Sequence, residues 1–261
     1  MRGLLLALCL LAVAAPARAG SEAGPADPLP IEAAAAFSKQ IERHLAASGA
    51  RAALVFRTGR AREDLPDGVR YTHGALWIYQ EFELADGTRA RGYATWNLFH
   101  HAETRTRSYI ARQFPLDFVR GAHLAEVGVI VPSPEMQRRL VELVASGGFG
   151  ALHQPDYSLV SNPHDARYQN CNEFLLDLVA AAAWQTSDRA RIKANLAAWF
   201  EPAVLRVSPL ERLLGPMADE RLRTADQAGA TRTTTFAALA AFIQTHALAA
   251  WIGELQFAPE A

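Results

Sequence analysis

The sequence is poor in cysteine and has no marked excess of charge of either sign. Two of its 261 residues are cysteines, Cys9 and Cys171, and 26 basic residues stand against 27 acidic ones. A disulfide-stapled scaffold would be shorter and richer in cysteine. A nucleic-acid-binding domain would carry a basic excess, so we expect no nucleic-acid partner. Half of the residues are hydrophobic, which excludes a disordered chain and suffices for a core without metal or disulfide support.

The sequence also lacks the short motifs of several common enzyme classes. It contains no Gly-x-Ser-x-Gly of serine hydrolases, no Gly-x-x-x-x-Gly-Lys of phosphate-binding loops and no His-Glu-x-x-His of zinc proteases. His100, His101 and Glu103 lie close together, but their spacing is not that of a zinc site and no cysteine cluster accompanies them. We therefore expect neither a metal nor another cofactor.

Residues 1–19 have the pattern of a secretory signal. Arg2 precedes an apolar run at residues 3–15, and an Ala-Arg-Ala motif ends at Ala19. The run is shorter than the roughly 20 residues that a membrane-spanning helix needs. We expect cleavage between Ala19 and Gly20, a periplasmic or secreted protein, and no transmembrane anchor after cleavage. Cleavage would leave 24 basic against 27 acidic residues, a formal charge of −3, and a single cysteine.

Hydrophobic periodicity predicts an α+β fold. Two β-rich runs, Tyr71–Leu84 and Arg89–Phe99, flank the pair Asp86-Gly87, and Asp-Gly between such runs is typical of a hairpin. Helical patterns are expected over Ser108–Phe118 and Cys171–Trp184, and over much of the chain beyond residue 186. The class is α+β because strands come before and between helical segments without a regular alternation.

No internal repeat or linker divides the sequence into separate domains. We expect the signal peptide at residues 1–19, a flexible leader at residues 20–29 and a single α+β domain at residues 30–261. Within that domain, a core at about residues 50–185 is followed by a helical extension at about residues 186–261.

Cys171 stands at the start of a predicted helix, in the segment Asn170-Cys171-Asn172-Glu173. With Asn170 as the N-cap, Glu173 is the third helical residue and the two approximate a capping box. Free N–H groups and the helix dipole stabilise a thiolate there, which lowers the thiol pKa. The same N–H groups can stabilise the oxyanion that forms when sulfur attacks a carbonyl. The competing interpretation is a buried structural thiol, since free cysteine behaves as a small hydrophobe.

His73 is the histidine that we expect to serve this thiol. A thiol nucleophile gains from a base that takes its proton and returns it to the leaving group. His73 opens the hydrophobic strand that runs to Tyr79, where Gly74 and Ala75 leave room beside the imidazole. By position alone, a histidine at a strand start is also typical of a solvated or capping residue.

Three segments together resemble the circularly permuted NlpC/P60 group of papain-like proteins, which includes YiiX-like proteins and relatives of lecithin:retinol acyltransferase. They are Leu54–Gly59, Tyr71–Ile78 and Asn170–Phe174. The group has a strand ending in Phe-Arg, a Ser/Thr-His before a hydrophobic strand, and an Asn-Cys at a helix start, in this order. The chain also resembles an uncharacterised family of secreted bacterial proteins, the domain of unknown function DUF2145.

The papain-like resemblance implies an antiparallel sheet packed on helices, a Cys171–His73 pair, and a polar residue on the next strand that orients the imidazole. A two-residue turn at Asp86-Gly87 would place His100 opposite His73. A three-residue turn would instead place Asn97 on the face of His73, paired with Trp77. Both Asn97 and His100 remain candidates at this point.

The resemblance and the signal together imply a secreted cysteine-dependent hydrolase or acyltransferase of the cell envelope. Cys171 would attack an amide or ester carbonyl, His73 would act as base and then acid, and Asn97 or His100 would orient it. A peptidoglycan peptide is favoured as the substrate over a lipid ester. The alternative is a non-catalytic periplasmic binding or scaffold protein that retains the papain-like fold.

Overall fold

The computed structural model describes residues 28–258. The expected signal peptide at residues 1–19, Cys9 and most of the expected leader at residues 20–29 lie outside the described residues. Within residues 28–258, every helix is too short or too polar to cross a lipid bilayer.

The described part of the chain forms α-helices and β-strands together with two short 3-10 helices at Arg62–Asp64 and Gly148–Leu152. In chain order the elements are α1 (Ile31–Ala47), β1 (Ala52–Arg57), β2 (His73–Glu83), β3 (Arg89–His100), β4 (Ser108–Gln113), α2 (Pro115–Arg120), β5 (Glu126–Pro132), α3 (Pro134–Ala145), α4 (Cys171–Trp184), α5 (Arg189–Trp199), β6 (Ala203–Leu205), α6 (Pro209–Ala218), β7 (Thr231–Thr233), α7 (Phe236–Thr245) and β8 (Ala249–Gln256).

Six strands form one sheet in the order β4-β3-β2-β1-β5-β8, and every neighbouring pair in it is antiparallel. The predicted α+β class with an antiparallel sheet packed on helices is therefore confirmed. The segment beyond residue 186 contains the helices α5, α6 and α7, and it also contains three strands that were not predicted. Strand β8 returns to the main sheet beside β5, and β6 pairs with β7 in a separate two-stranded ribbon.

The sheet is covered on both faces, so β1 is buried along its whole length. Side chains of α3, α4 and α7 pack on the face that includes Leu54 and Leu76, which we call the α4 face. Side chains of α1 and α2 pack on the opposite face, which includes Val55 and Trp77 and which we call the α1 face. Because successive strand residues point to opposite sides, each residue of β2 is assigned to one of these two cores.

The segment that was expected to be a helix over Ser108–Phe118 is instead a strand followed by a short helix. Residues of β4 pair with β3, from Thr95 opposite Gln113 to His100 opposite Ser108. Pro115 explains the change, because proline disfavours a helical conformation in the preceding residue and fits the first turn of a new helix. It stands at the N-terminus of α2.

Gly74 on β2 packs closely against α4 and β1. A Cβ atom added there would lie 2.6 Å from Leu175 Cδ1 and 2.7 Å from Phe56 Cε1. At Gly92, on β3, the nearest atom would be 3.8 Å away.

We therefore predict that Gly74→Ala lowers the free energy of unfolding by about 1–3 kcal/mol, the usual cost of overpacking a core. Gly92→Ala is the matched control, and we expect it to change the free energy of unfolding by less than about 0.5 kcal/mol. Urea denaturation followed by circular dichroism measures both. An equal effect of the two substitutions would contradict the close packing of α4 on β2.

Candidate functional site

A cavity of about 330 Å³ lies at the N-terminus of α4, and Cys171 forms part of its wall. Segments far apart in the sequence enclose it, including Leu65–Thr72, Tyr157–Val160, Asp219–Leu222 and Thr233–Thr235. A larger depression of about 700 Å³ lies between the end of α1 and the β2–β3 hairpin. None of the predicted site residues lines that depression, so the cavity at Cys171 is the candidate site.

The N-cap of α4 is Asn170, as predicted. Its Oδ1 accepts a hydrogen bond of 2.9 Å from the Glu173 N–H, and its Nδ2 donates to the carbonyl oxygen of Leu159 at 3.1 Å. The predicted capping box is only half formed. The Glu173 carboxylate accepts a hydrogen bond of 2.6 Å from Lys193 Nζ on α5 instead of turning back to the cap.

That carboxylate belongs to a buried ionic cluster between α4 and α5. Lys193 Nζ lies 2.6 Å from Glu173 and 2.7 Å from Asp177, and Arg189 lies 3.4 Å from Glu173. Burial raises the pKa of Glu173 to about 7, while Lys193 opposes the shift. The cluster holds the first two turns of α4 against α5.

The Cys171 thiol is buried and lies against the backbone of β2. Its Sγ is 3.8 Å from the carbonyl oxygen of Thr72 and 3.8 Å from Oδ1 of Asn172. Burial raises the pKa of Cys171, and the N–H of Gly74, the Arg57 guanidinium and the N–H of Asn172 only partly oppose it. The expectation of a lowered thiol pKa is therefore wrong, because desolvation outweighs the helix N-terminus.

His73 and Asn97 form a buried pair. His73 Nε2 lies 3.0 Å from Asn97 Oδ1, and the imidazole stacks on Phe99 with a centroid distance of 5.1 Å. Burial and the neighbouring Arg57 lower the pKa of His73 to about 3. Its Nδ1 is buried and has no hydrogen-bond partner within the described residues.

The hairpin register explains why Asn97, and not His100, contacts His73. Asn97 lies opposite Ala75, so the pairing differs from the predicted partner Trp77. Its side chain nevertheless faces the same side as His73, as the three-residue turn predicted. His100 points to the other face of β3.

The structure does not bring His73 and Cys171 together. His73 packs with Phe99 and Phe118 on the α1 face. The next residue, Gly74, faces Leu175 of α4, and Cys171 belongs to the core on the α4 face. The imidazole and the thiol therefore lie on opposite sides of β2. The structure does not contain the predicted pair of Cys171 and His73.

His100 lies on the α4 face, but both of its ring nitrogens are occupied. Nδ1 lies 2.9 Å from the carbonyl oxygen of His101, which can only accept, so Nδ1 carries the proton. Nε2 then accepts from Arg221 at 2.9 Å, and Arg221 pairs with Asp219. The ring packs 5.4 Å from that of Tyr157, which lines the cavity. His100 thus positions the cavity wall.

Sequence reasoning did not identify the residues that close the cavity from the C-terminal half of the chain. The Leu159 N–H donates to the Arg221 carbonyl at 2.9 Å, and Ser158 Oγ donates to the Arg223 carbonyl at 2.7 Å. These contacts join loops that are more than 60 residues apart in the sequence, so no local sequence motif predicts them. Among the described residues, no three His, Cys, Asp or Glu side chains come together as metal ligands would.

A protein-family model described as "Uncharacterized protein conserved in bacteria (DUF2145)" matches residues 44–243, well over half of the chain. The matched span contains Cys171, His73, Asn97 and His100. Neither the curated proteins nor the solved structures include a significant match.

The buried His73 gives a testable pH dependence. The unfolded chain takes up a proton on this imidazole below its ordinary pKa of about 6.5, whereas the folded protein does so only near pH 3. We predict that this residue makes the free energy of unfolding fall as the pH drops from about 6.5 towards 3. The loss from one proton is at most about 1.4 kcal/mol per pH unit.

Urea denaturation at pH 7, 6 and 5 should therefore show a steeper loss in the wild type than in His73→Gln. In the wild type, the His73 ring signals in NMR spectra should not titrate between pH 5 and 8. A titration of this ring in that range would contradict the buried, neutral imidazole.

Proposed function

We propose a binding function for this chain, which belongs to the conserved bacterial family DUF2145. It is a cell-envelope protein that binds a ligand in the cavity beside Cys171 and does not catalyse a reaction of that ligand. The observation that carries the proposal is the placement of the thiol and the imidazole on opposite sides of β2. A cysteine hydrolase needs a base within hydrogen-bond reach of its thiol. Here the thiol faces backbone and amide oxygens, which take up no proton at neutral pH.

The cavity itself supports a binding role. Its volume of about 330 Å³ falls at the lower end of the roughly 300–1,000 Å³ range that is usual for small-molecule sites. Its wall combines many apolar side chains with a few polar ones, such as Asn170, Asn172 and Thr233. That composition suits recognition of a small molecule and does not depend on an ionised thiol.

We propose further that the scaffold is a permuted papain-like fold in the periplasm or outside the cell. Three features support this fold: the order of β1, β2 and α4 along the chain, the antiparallel pairing of β1 with β2, and the packing of a helix that begins at Cys171 on that sheet. The location rests on the signal pattern of residues 1–19.

The second candidate is the cysteine-dependent hydrolase or acyltransferase, acting on an amide or ester of the envelope, with a peptidoglycan peptide favoured. It is supported by the position of Cys171 in the cavity wall, beside the N–H groups at the start of α4. Its chemistry requires a rearrangement that exposes the unpartnered Nδ1 of His73 to the thiol. The imidazole would take the Sγ proton as the C–S bond forms and pass it to the departing amine or alcohol. Water would then hydrolyse the thioester.

An activated ester separates the two candidates. With p-nitrophenyl acetate we predict no nitrophenol burst and the same slow release from the wild type and Cys171→Ala. The hydrolase predicts a burst approaching one equivalent per chain, absent in Cys171→Ala and strongly slowed in His73→Ala. Such a burst would overturn the non-catalytic proposal.

The cavity can be tested independently with a neutral fluorescent probe, N-phenyl-1-naphthylamine. We predict that the wild type binds it and that Ala218→Trp, which places an indole in the cavity wall, weakens binding at least tenfold. Ala197→Trp is the matched control, since Ala197 is exposed on α5 and does not line the cavity. Equal binding by both variants, or no binding by the wild type, would contradict a ligand site at Cys171.

A further inference from the structure

The apolar part of the cavity wall is extensive. Six aliphatic side chains contribute to it, namely Leu65, Val69, Leu159, Val160, Leu205 and Leu222. They come from the segment before β2, from the loop before α4, from β6 and from the segment after α6. A ligand surrounded by these side chains must itself present apolar surface, because a polar group there would lose its hydration without gaining a partner.

Among the described lining residues, Arg60 is the one that carries a positive charge. It forms no ion pair within the described residues, whereas the nearby Arg105 and Arg221 both pair with Asp219. Desolvation and the proximity of Arg221 lower the pKa of Arg60, and Asp64 and Asp219 oppose the shift without reaching ion-pair distance. A partly desolvated guanidinium without a carboxylate partner is stabilised by a bound anion, which it can contact through two N–H groups.

Exposed apolar side chains lie close in sequence to residues of the cavity wall. Val204, Val207, Leu214 and Met217 are 50, 43, 46 and 84% exposed. Val204 and Met217 are adjacent in sequence to the wall residues Leu205 and Ala218, and Val207 and Leu214 lie two and four residues from them. Single exposed apolar residues are common, but four within fourteen residues that also contain two residues of the cavity wall favour an apolar ligand.

We infer that the cavity binds an amphipathic anion with a single alkyl chain, of the medium-chain fatty acid class, with its carboxylate paired to Arg60 and its chain among Leu159, Val160 and Leu222. This inference rests on the proposed binding function and names the ligand class. The size of the cavity favours one chain over a two-chain lipid. The apolar wall binds the alkyl chain, and Arg60 selects the anionic head.

Isothermal titration calorimetry with lauric acid and 1-dodecanol tests this assignment, because the two ligands share an alkyl chain and differ in the charge of the head group. We expect the wild type to bind laurate at least tenfold more tightly than dodecanol. Arg60→Gln should lose this preference while its affinity for dodecanol stays within about twofold. Arg62→Gln is the matched control, because Arg62 pairs with Glu126 outside the cavity, and it should keep the preference.

The possible failures are distinguishable. Equal affinity of the wild type for laurate and dodecanol, or an unchanged preference in Arg60→Gln, would overturn the anionic ligand and leave the cavity as a binding site. If the wild type bound neither laurate nor dodecanol nor the neutral naphthylamine probe, the proposed function would be overturned as well. If Arg62→Gln weakened laurate binding as much as Arg60→Gln does, the effect would come from general surface charge. That result would overturn the role of Arg60.

Discussion

The burial of β2 on both faces is the constraint on which the rest of the site depends. Ala75 and Trp77 pack under α1 and α2, whereas Leu76 and Ile78 pack under α4. The alternation extends to the start of the strand, where His73 joins the first core and Gly74 contacts the second. A slip of one residue would bring the imidazole to the thiol, but it would also exchange every side chain of β2 between the two cores. The separation of His73 from Cys171 is therefore maintained by the packing of the whole strand.

Two buried ionic groups fix the surroundings of the cavity. Lys193 lies between Glu173 and Asp177 on α4, with all three side chains almost completely buried. Arg221, fully buried, joins Asp219 to His100 and so attaches the C-terminal loop to β3. Removal of one member of such a group leaves an uncompensated buried charge, which typically costs about 3–5 kcal/mol. This cost makes these groups suitable for holding the cavity walls in one arrangement, including walls that come from distant parts of the chain.

Local signals in the sequence predicted the local structure well. Asn170 caps α4, the Asp86-Gly87 pair lies in a hairpin turn, and Asn97, one of the two candidates that the sequence left open, contacts His73. The segments that were assigned wrongly have two different causes. The helix expected over Ser108–Phe118 is divided at Pro115, which is a local signal, whereas β8 depends on a partner far away in the sequence. Strand β8 forms because β5 offers an edge to pair with, and Arg60 becomes part of a cavity wall only because distant loops approach it in space. Likewise, the motifs around His73 and Cys171 give their order along the chain, but the face to which His73 points depends on which helices cover each side of the sheet.

The reactivity of Cys171 as a function of pH tests the central claim most directly. Alkylation by iodoacetamide would be followed from pH 6 to 10 in the folded wild type and in folded His73→Gln, with the urea-unfolded protein as the accessible reference. The structure predicts slow alkylation with an apparent pKa above the value of about 8.5 that is usual for a free cysteine, and the same profile in both proteins. Rapid alkylation near neutral pH that is lost in His73→Gln would show a thiolate–imidazolium pair and would contradict the separation of the two residues.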